Sequence, residues 1–398
     1  MKPNRRILIL LLGALSAIGP FSIDMYLPGF PFISKALHTS AGTVAYSLSS
    51  FFLGISLGQL IFGPLLDKFG RKKPLLAGLL VYIIASFGCM LATSVETLII
   101  CRFFQALGAC AGFVAPRAIV RDEFPLAENA RIFSMLVLIL GVSPMLAPTA
   151  GSLIVTRFGW QAVFLTLMIL GIILFIGTIL ILTDKPQPEN VFSLRPSAIT
   201  ANFLSILKTR QFIKFTLINA FSSSGFYCYL SGAPAVLMGQ YGISEKEFGY
   251  LFGLIAFGLI GSSQANRYLL KYFSSPGIVQ TAGIVQAISG LVMSLAVYFI
   301  HPVLPVLVSL LFILICCQGL TTPNATAMAL SPFTKNAGSA SALLGTLQMG
   351  LGAIASALVS SGISRNALPM ATGMLVCGTL AFTFSFLPGT ASREKGML

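Results

Sequence analysis

Apolar runs of about twenty residues recur along the whole chain, and they limit its possible folds more than any other feature. A hydrocarbon core about 30 Å thick is crossed by about 20 apolar residues in a helix. Inside lipid every backbone polar group must be bonded within the protein, which restricts such runs to helices. The sequence therefore predicts an all-α integral membrane protein. The twelve predicted spans are 7–28, 43–66, 74–93, 97–120, 130–155, 160–183, 212–239, 246–266, 277–300, 303–327, 338–362 and 367–388.

The basic charge of the chain follows the predicted topology. Only 9% of the 398 residues are charged, and the formal net charge is +14. With the N-terminus placed inside, 19 of the 25 Lys and Arg residues lie in cytoplasmic segments or at the cytoplasmic ends of spans, 4 in outer loops or at the outer ends of spans, and 2 within the fourth span. This asymmetry is the positive-inside rule, and it places both termini in the cytoplasm. The charge therefore gives no reason to expect a nucleic-acid partner.

The longest polar interruption, 184–211, divides the spans into two sets of six. We predict an N-terminal six-helix bundle over 1–183, a cytoplasmic linker over 184–211 and a C-terminal six-helix bundle over 212–398. Two pseudo-symmetric halves with a binding site near the membrane midplane are typical of secondary transporters. The sequence has no GxxxxGK[ST] phosphate-binding loop, no metal-ligand spacing and no nucleophile–base set. We therefore expect neither an enzyme nor an organic or metal cofactor.

Asp24, in the stretch FSIDMYLP, is the one acidic residue of eleven that lies within a predicted span rather than in a loop or at a helix end. The prediction places it about one turn below the outer end marked by Pro28. Ionisable residues inside membranes are costly and usually face a cavity or carry protons. Burial favours the neutral form of a carboxyl group, whereas a nearby cation favours the charged form. Asp24 is thus a candidate proton carrier; the alternative is a carboxylate that faces water at a helix end.

Arg102 in the fourth span is the candidate partner of Asp24. It lies about one turn below the predicted outer end of its helix, at the depth predicted for Asp24. Two unpaired charges at that depth would both be costly. The sequence therefore predicts either an ion pair between the two side chains or shared access to a wet cavity.

The loop GPLLDKFGRKKP, residues 63–74, connects the second and third spans. Asp67 stands four residues before Arg71, with Gly70 in the turn, and Asp122 stands at the inner end of the fourth span. An Asp67–Arg71–Asp122 cluster could hold the cytoplasmic helix ends together. The alternative is that these charges only mark the cytoplasmic side.

The fifth span contains GVSPMLAPTAG, residues 141–151, with Gly141, Pro144, Pro148 and Gly151 at helical spacing. Proline removes backbone hydrogen bonds and bends a helix, and glycine lets a neighbour approach closely. The pattern favours a bent, tightly packed helix that acts as a seal or pivot. A membrane helix that merely tolerates proline is the alternative.

Taken together, these segments resemble the major facilitator superfamily, and within it the twelve-span drug:proton antiporters for bicyclomycin and phenicols. IDMYLP resembles the first-helix signature of that subfamily, and GPLLDKFGRKK the loop motif of the superfamily. RFFQALGACAG resembles the fourth-helix motif linked to proton coupling, with Arg102, Gln105 and Gly108 in place. PMLAPTAG resembles the antiporter motif of the fifth helix, with Ala147 and Ser152 where that motif usually has glycine.

The resemblance implies a proton-coupled multidrug exporter of a bacterial inner membrane that works by alternating access, with protons as the coupling ion. We expect it to act as a monomer in the lipid bilayer on neutral or zwitterionic amphiphilic drugs. The alternatives are a proton-coupled importer of a small nutrient and a membrane sensor that transports nothing. The predicted cavity residues, each of which could instead be a packing residue, are Tyr26, Gln105, Asn219, Phe226, Tyr229 and Gln348.

Overall fold

The computed structural model describes residues 5–124, 126–183, 196–333, 337–362 and 366–387. Its regular structure is helical within these ranges, as predicted. A 3-10 turn, Leu27–Gly29, connects α1 to α2, and a π-helical segment, Pro234–Gln240, extends α9. The helices of the described residues are α1 (Arg5–Asp24), α2 (Phe30–Ala36), α3 (Ala41–Phe69), α4 (Lys72–Met90), α5 (Val95–Glu123), α6 (Leu126–Phe158), α7 (Gln161–Ile181), α8 (Pro196–Leu207), α9 (Arg210–Ala233), α10 (Glu245–Leu269), α11 (Ser275–Phe299), α12 (Leu304–Leu330), α13 (Ala337–Gly362) and α14 (Leu368–Ser385).

Eleven helical spans in the described residues are long and apolar enough to cross a membrane. The remaining predicted span, 212–239, coincides with α9 and the π-helical segment. This stretch is helical over the required length, but α9 is less apolar because it carries Asn219 and Ser222 to Ser224. These four side chains are buried inside the protein. A helix that turns polar groups inward needs less hydrophobic surface, which explains its weaker apolar signal.

The first span is longer than predicted. The prediction ended it at Pro28, whereas the apolar helical path runs from Arg5 to Ala36. Pro28 and Pro31 each fall in the first turn of a new helical segment. A proline costs little there, because the missing N–H group would have no partner in any case. The predicted boundary was therefore wrong by about two helical turns, and Asp24 lies deeper than expected.

The six long helices before residue 183 pack mainly on one another, and α9 to α14 do the same. The two sets meet along a seam where α3 packs against α13 and α6 packs against α10. At one end of the seam α2 contacts the π-helical segment. The predicted linker, 184–211, contains α8, while its residues 184–195 lie outside the described ranges. Ile206 of α8 is buried against the C-terminal end of α12 and the N-terminal part of α13.

Candidate functional site

Asp24 lies in the middle of the first span, near the seam. It is the last residue of α1 and stands 12 residues before Ala36, where the apolar helical path ends. Its side chain is buried, with 4% of its surface exposed. On the far side of the seam, the hydroxyl of Tyr229 in α9 lies within electrostatic range of the Asp24 carboxyl group. Asp24 is thus placed between the two sets of helices rather than at a wet helix end.

Arg102 of α5 is fully buried. Its Nη1 donates hydrogen bonds to the backbone carbonyl of Ser22, at 3.0 Å, and to Oε1 of Gln105, at 2.7 Å. Its Nε and Nη2 have no hydrogen-bond partner. Among the described residues, no carboxylate forms an ion pair with Arg102. The predicted direct contact with Asp24 is therefore absent from this structure.

Three aromatic rings surround the Arg102 guanidinium in place of a carboxylate. Its Cζ lies 4.2 Å from the ring centre of Phe51, 4.7 Å from that of Tyr26 and 5.9 Å from that of Phe164. The negative faces of aromatic rings attract a cation, and this attraction is stronger when water is excluded. The rings thus hold the charge in place without neutralising it. The unoccupied Nε and Nη2 together form the edge of the guanidinium that binds carboxylates in a bidentate manner.

Two predicted cavity residues instead support Arg102. The hydroxyl of Tyr26 forms a hydrogen bond with Ser47 Oγ at 2.6 Å, and its ring packs on the guanidinium. Gln105 accepts a hydrogen bond from Arg102 and donates one from Nε2 to Ser86 Oγ, at 2.8 Å. Both side chains are at most 1% exposed. Asn219 and Tyr229 are buried to the same degree, so burial alone does not exclude Tyr26 and Gln105, and their place in the cavity wall stays a prediction.

Sequence reasoning missed the hydroxyl groups on α1, α3 and α4 that form hydrogen bonds around Tyr26 and Gln105. Ser22 Oγ lies 2.7 Å from the hydroxyl of Tyr82, and Ser47 and Ser86 bind Tyr26 and Gln105 as described above. Each is a polar residue within an apolar span, and this is the only sequence signal they give. Buried polar groups must find partners, so such residues could have been expected to form a network.

The C-terminal wall of the candidate site is a chain of amides. Nδ2 of Asn219 donates to Oε1 of Gln348 at 3.2 Å, and Nε2 of Gln348 donates to Ser223 Oγ at 3.0 Å. Oδ1 of Asn219 is buried without a partner. The structure thus brings Asn219 and Gln348 into contact and leaves one strong acceptor, Oδ1 of Asn219, without a partner, while their place in a cavity wall stays a prediction.

Aromatic rings of α9 and α10 continue this wall towards Asp24. The ring of Tyr229 stacks on Phe252, with centres 5.8 Å apart, and lies 6.1 Å from the ring of Phe226. Tyr229 is fully buried, and its hydroxyl has no hydrogen-bond partner. A buried hydroxyl without a partner is costly. The phenol is therefore available to a group that reaches it in another state.

The predicted cytoplasmic cluster is present as two ion pairs. Nη1 of Arg71 lies 2.8 Å from Oδ1 of Asp67, and its Nε lies 2.7 Å from Oδ2 of Asp122. Burial opposes the charge on Arg71, but the hydrogen bonds to Asp67 and Asp122 outweigh it and raise the pKa of Arg71 above its usual value. Gly70 ends α3 with a φ of 79°, which only glycine adopts without strain. The cluster joins α3 to α5 and does not itself cross the seam.

The glycines of α6 allow close helix contacts on two sides. A side chain at Gly151 would overlap the backbone carbonyl of Met25, directly after Asp24. At Gly141 an added β-carbon would lie 3.6 Å from Ile260 of α10, an ordinary contact. Gly151 therefore sets the distance between α6 and α1, whereas Gly141 leaves room at the seam. The helix is continuous through Pro144 and Pro148, so the predicted seal or pivot stays a prediction.

We expect Gly151→Ala to lower both thermal stability and transport, because its methyl group would push α6 away from Met25. Overpacking of this kind costs about 1–3 kcal/mol. The matched control is Gly141→Ala on the same helix, which should leave both properties nearly unchanged. The melting temperature of the purified variants and their drug export measure this difference. Equal behaviour of the two variants would contradict a specific contact at Gly151.

Among the described residues, no group of three or more His, Cys, Asp or Glu side chains could hold a metal ion. The seven cysteines are all free thiols within spans. The described site thus holds a buried carboxyl group, Asp24, and a buried cation, Arg102, which form no ion pair with each other. Apolar rings and amide groups beside it provide surface for an amphiphilic ligand.

Known proteins resemble the chain over almost its full length. The family model of the Major Facilitator Superfamily matches residues 10–357. An uncharacterized MFS-type transporter, YdgK, of Bacillus subtilis (strain 168) is 37% identical over 95% of each chain. A bicyclomycin resistance protein homolog of Haemophilus influenzae is 30% identical over 98% of each chain. The crystal structure of a D-xylose–proton symporter superposes with a TM-score of 0.76 at 14% identity, over 96% of this chain and 97% of that one.

Proposed function

The chain belongs to the Major Facilitator Superfamily, and from this premise we propose that it exports neutral or zwitterionic amphiphilic drugs in exchange for protons. The observation that carries the proposal is Asp24, which is buried at the seam without an ion pair in the described structure. A carboxyl group in that position can bind a proton in one state and lose it in another as its surroundings change. The name of the Haemophilus influenzae relative favours drug export over nutrient import.

The unpaired Nε and Nη2 of Arg102 support a mechanism in which the Asp24 side chain alternates between two positions. In the state described here, Asp24 lies within electrostatic range of Tyr229, and the Nε and Nη2 of Arg102 have no hydrogen-bond partner. In the opposite state, a charged Asp24 would bind that edge of Arg102. Protonation would break this ion pair and favour the arrangement near Tyr229. Proton and drug would then bias the same equilibrium in opposite directions, as exchange requires.

The amides of the C-terminal wall suggest how a drug is oriented. Oδ1 of Asn219 accepts a hydrogen bond from a ligand hydroxyl or amide, while Phe226 offers apolar contact. The positive charge of Arg102 opposes a second cation nearby. This combination favours neutral or zwitterionic amphiphiles over strongly cationic drugs. We place the protein in the inner membrane, with both termini cytoplasmic, and propose that it acts as a monomer.

Drug accumulation in cells tests the function. Cells that produce the protein should accumulate less of a bicyclomycin-type or a chloramphenicol-type drug than control cells, and a protonophore should remove the difference. Increased accumulation would indicate import and would contradict export. A difference that survives the protonophore would contradict proton coupling.

We expect Tyr229→Phe to slow export roughly fivefold, the effect of losing one hydrogen bond of about 1 kcal/mol in the transport cycle. The ring stacking on Phe252 would remain, and stability should not fall because the hydroxyl has no partner in this state. Tyr250→Phe, at an exposed position of the neighbouring helix α10, is the control. If Tyr229→Phe exports at the wild-type rate, Tyr229 is only a packing residue.

The Asp67–Arg71–Asp122 cluster would stabilise the outward-facing state, in which the inner helix ends come together. We expect Arg71→Gln to move the equilibrium towards the inward-facing state by a factor of roughly five, equivalent to about 1 kcal/mol for a partly exposed ion-pair network. Distances between spin labels on the inner ends of α5 and α12 would report the shift. An unchanged distance distribution would restrict the cluster to marking topology.

A further inference from the structure

A cavity of about 720 Å³ lies along the seam, between α3 and α13, and is separate from the site around Asp24. It extends on α3 from Tyr46 to Ser56, a length of about 15 Å of helix. Ile99 of α5 forms part of the same wall. The cavity is a groove parallel to the helices rather than a compact pocket. The residues of α13 that line it are Thr346, Leu347, Gly350, Leu351, Ala353, Ile354 and Ala357.

The serine and threonine hydroxyls of the groove are already bonded within the protein. Ser56 Oγ donates to the carbonyl of Thr346, at 2.9 Å, and Thr346 Oγ1 donates back to the carbonyl of Ser56, at 3.2 Å. Ser50 Oγ donates to the carbonyl of Ile99 at 2.7 Å, and Ser49 Oγ lies 2.6 Å from Ser356 Oγ. A polar ligand would gain little from these groups. The surface left to an occupant is apolar.

The groove opens sideways. Leu53 and Ile354 at its mouth are 44% and 59% exposed, and both belong to the middle of membrane-spanning helices. At that depth the surface of the protein faces hydrocarbon rather than water. An apolar, elongated groove that opens towards hydrocarbon matches the chemistry of a lipid acyl chain in both shape and polarity.

We propose that this groove binds one acyl chain of a phospholipid and that the chain stabilises the present arrangement of the two sets of helices. The walls belong to α3 and α13, on opposite sides of the seam, so the groove keeps its shape only while these helices keep their relative position. A ligand that binds one arrangement and not the other shifts the population towards it. The bilayer thereby acts on the transport equilibrium through a defined site.

Quenching of tryptophan fluorescence tests the proposal in the full-length protein. In a Trp160→Phe background, Leu53→Trp places a fluorophore at the mouth of the groove. Ile173→Trp on α7 is the matched control, because both positions stand 12 residues after the first residue of an apolar helix and both are exposed. The protein in detergent micelles is titrated with a phosphatidylcholine brominated in its acyl chains.

Two further variants are designed to block the groove. Ala357→Phe places a ring in the groove, and Leu347→Phe places a ring in its inner half.

At Leu53→Trp, the expected quenching saturates at about one lipid per chain, as a single site requires. At Ile173→Trp it should rise gradually as lipid replaces detergent. The groove-filling variants should remove the saturable component while their gel-filtration profile and melting temperature stay normal. Parallel curves at the two positions, or a saturable component that both filled variants retain, would overturn the proposal.

Discussion

Replacement of Asp24 by Asn is expected to abolish proton-driven export while leaving the protein folded and able to bind drug. The amide has nearly the shape of the carboxylic acid but carries no titratable proton. Coupling free energies between two ligands are typically 1–3 kcal/mol, equivalent to a difference of roughly 5–150-fold in affinity. In the wild type, drug affinity should therefore depend on pH by such a factor. In Asp24→Asn the affinity should be independent of pH.

Two measurements check this expectation: drug binding to the purified protein over the neutral pH range, and drug accumulation in cells with and without a protonophore. Glu96→Gln is the control, because Glu96 is an exposed acidic residue in the first turn of α5. It should export like the wild type. Normal export by Asp24→Asn would assign coupling to another group and reduce Asp24 to a packing residue.

Replacement of Arg102 by Met should separate stability from function. A buried cation without a carboxylate is costly, and well-packed apolar replacements of buried charges are often neutral or stabilising by about 1–4 kcal/mol. Methionine fills much of the same volume between the rings of Phe51 and Tyr26. The variant should therefore melt at the same temperature as the wild type or above it. Its export should nevertheless be lost, because Asp24 would have no cation to bind in the opposite state.

Arg117→Met on the same helix is the matched control, since Arg117 is exposed and lies over the ring of Phe113. It should change neither the melting temperature nor export appreciably. A large fall in the melting temperature of Arg102→Met would indicate that Arg102 is mainly a structural anchor through Ser22 and Gln105. Export by Arg102→Met at the wild-type rate would exclude the proposed ion pair with Asp24.

The class of the fold could be predicted from the sequence because spans of this length have few alternatives in lipid. The depth of Asp24 could not be predicted, because the sequence does not distinguish a proline that ends one helical segment from a proline that begins the next. The weak apolar signal of α9 has its cause in the packing of this helix inside the protein, which a single sequence does not reveal. A helix buried among other helices can carry Asn219 and three consecutive serines where a lipid-facing helix could not.

The individual residues of the site were predictable to different degrees. Asp24 and Arg102 stand out because charge is rare in an apolar span. The actual surroundings of Arg102 depend on which faces of four helices meet, and no periodicity in one chain specifies that. Tyr26 was predicted to face the cavity because it is aromatic and polar, but its hydroxyl reaches Ser47 on α3. The Asp67–Arg71–Asp122 cluster was easier to predict, because a four-residue spacing on a helix already brings Asp67 and Arg71 together.

The sideways groove between α3 and α13 has a consequence for pharmacology. An inhibitor shaped to fit it would reach the transporter from within the bilayer, without passing through the route of the exported drugs. A high concentration of antibiotic would not displace such a compound by competition. Mutations that change which drugs are exported would also leave its binding surface intact. Resistance to a compound of this kind would have to arise at the contact between α3 and α13, where any change also affects how the two sets of helices move.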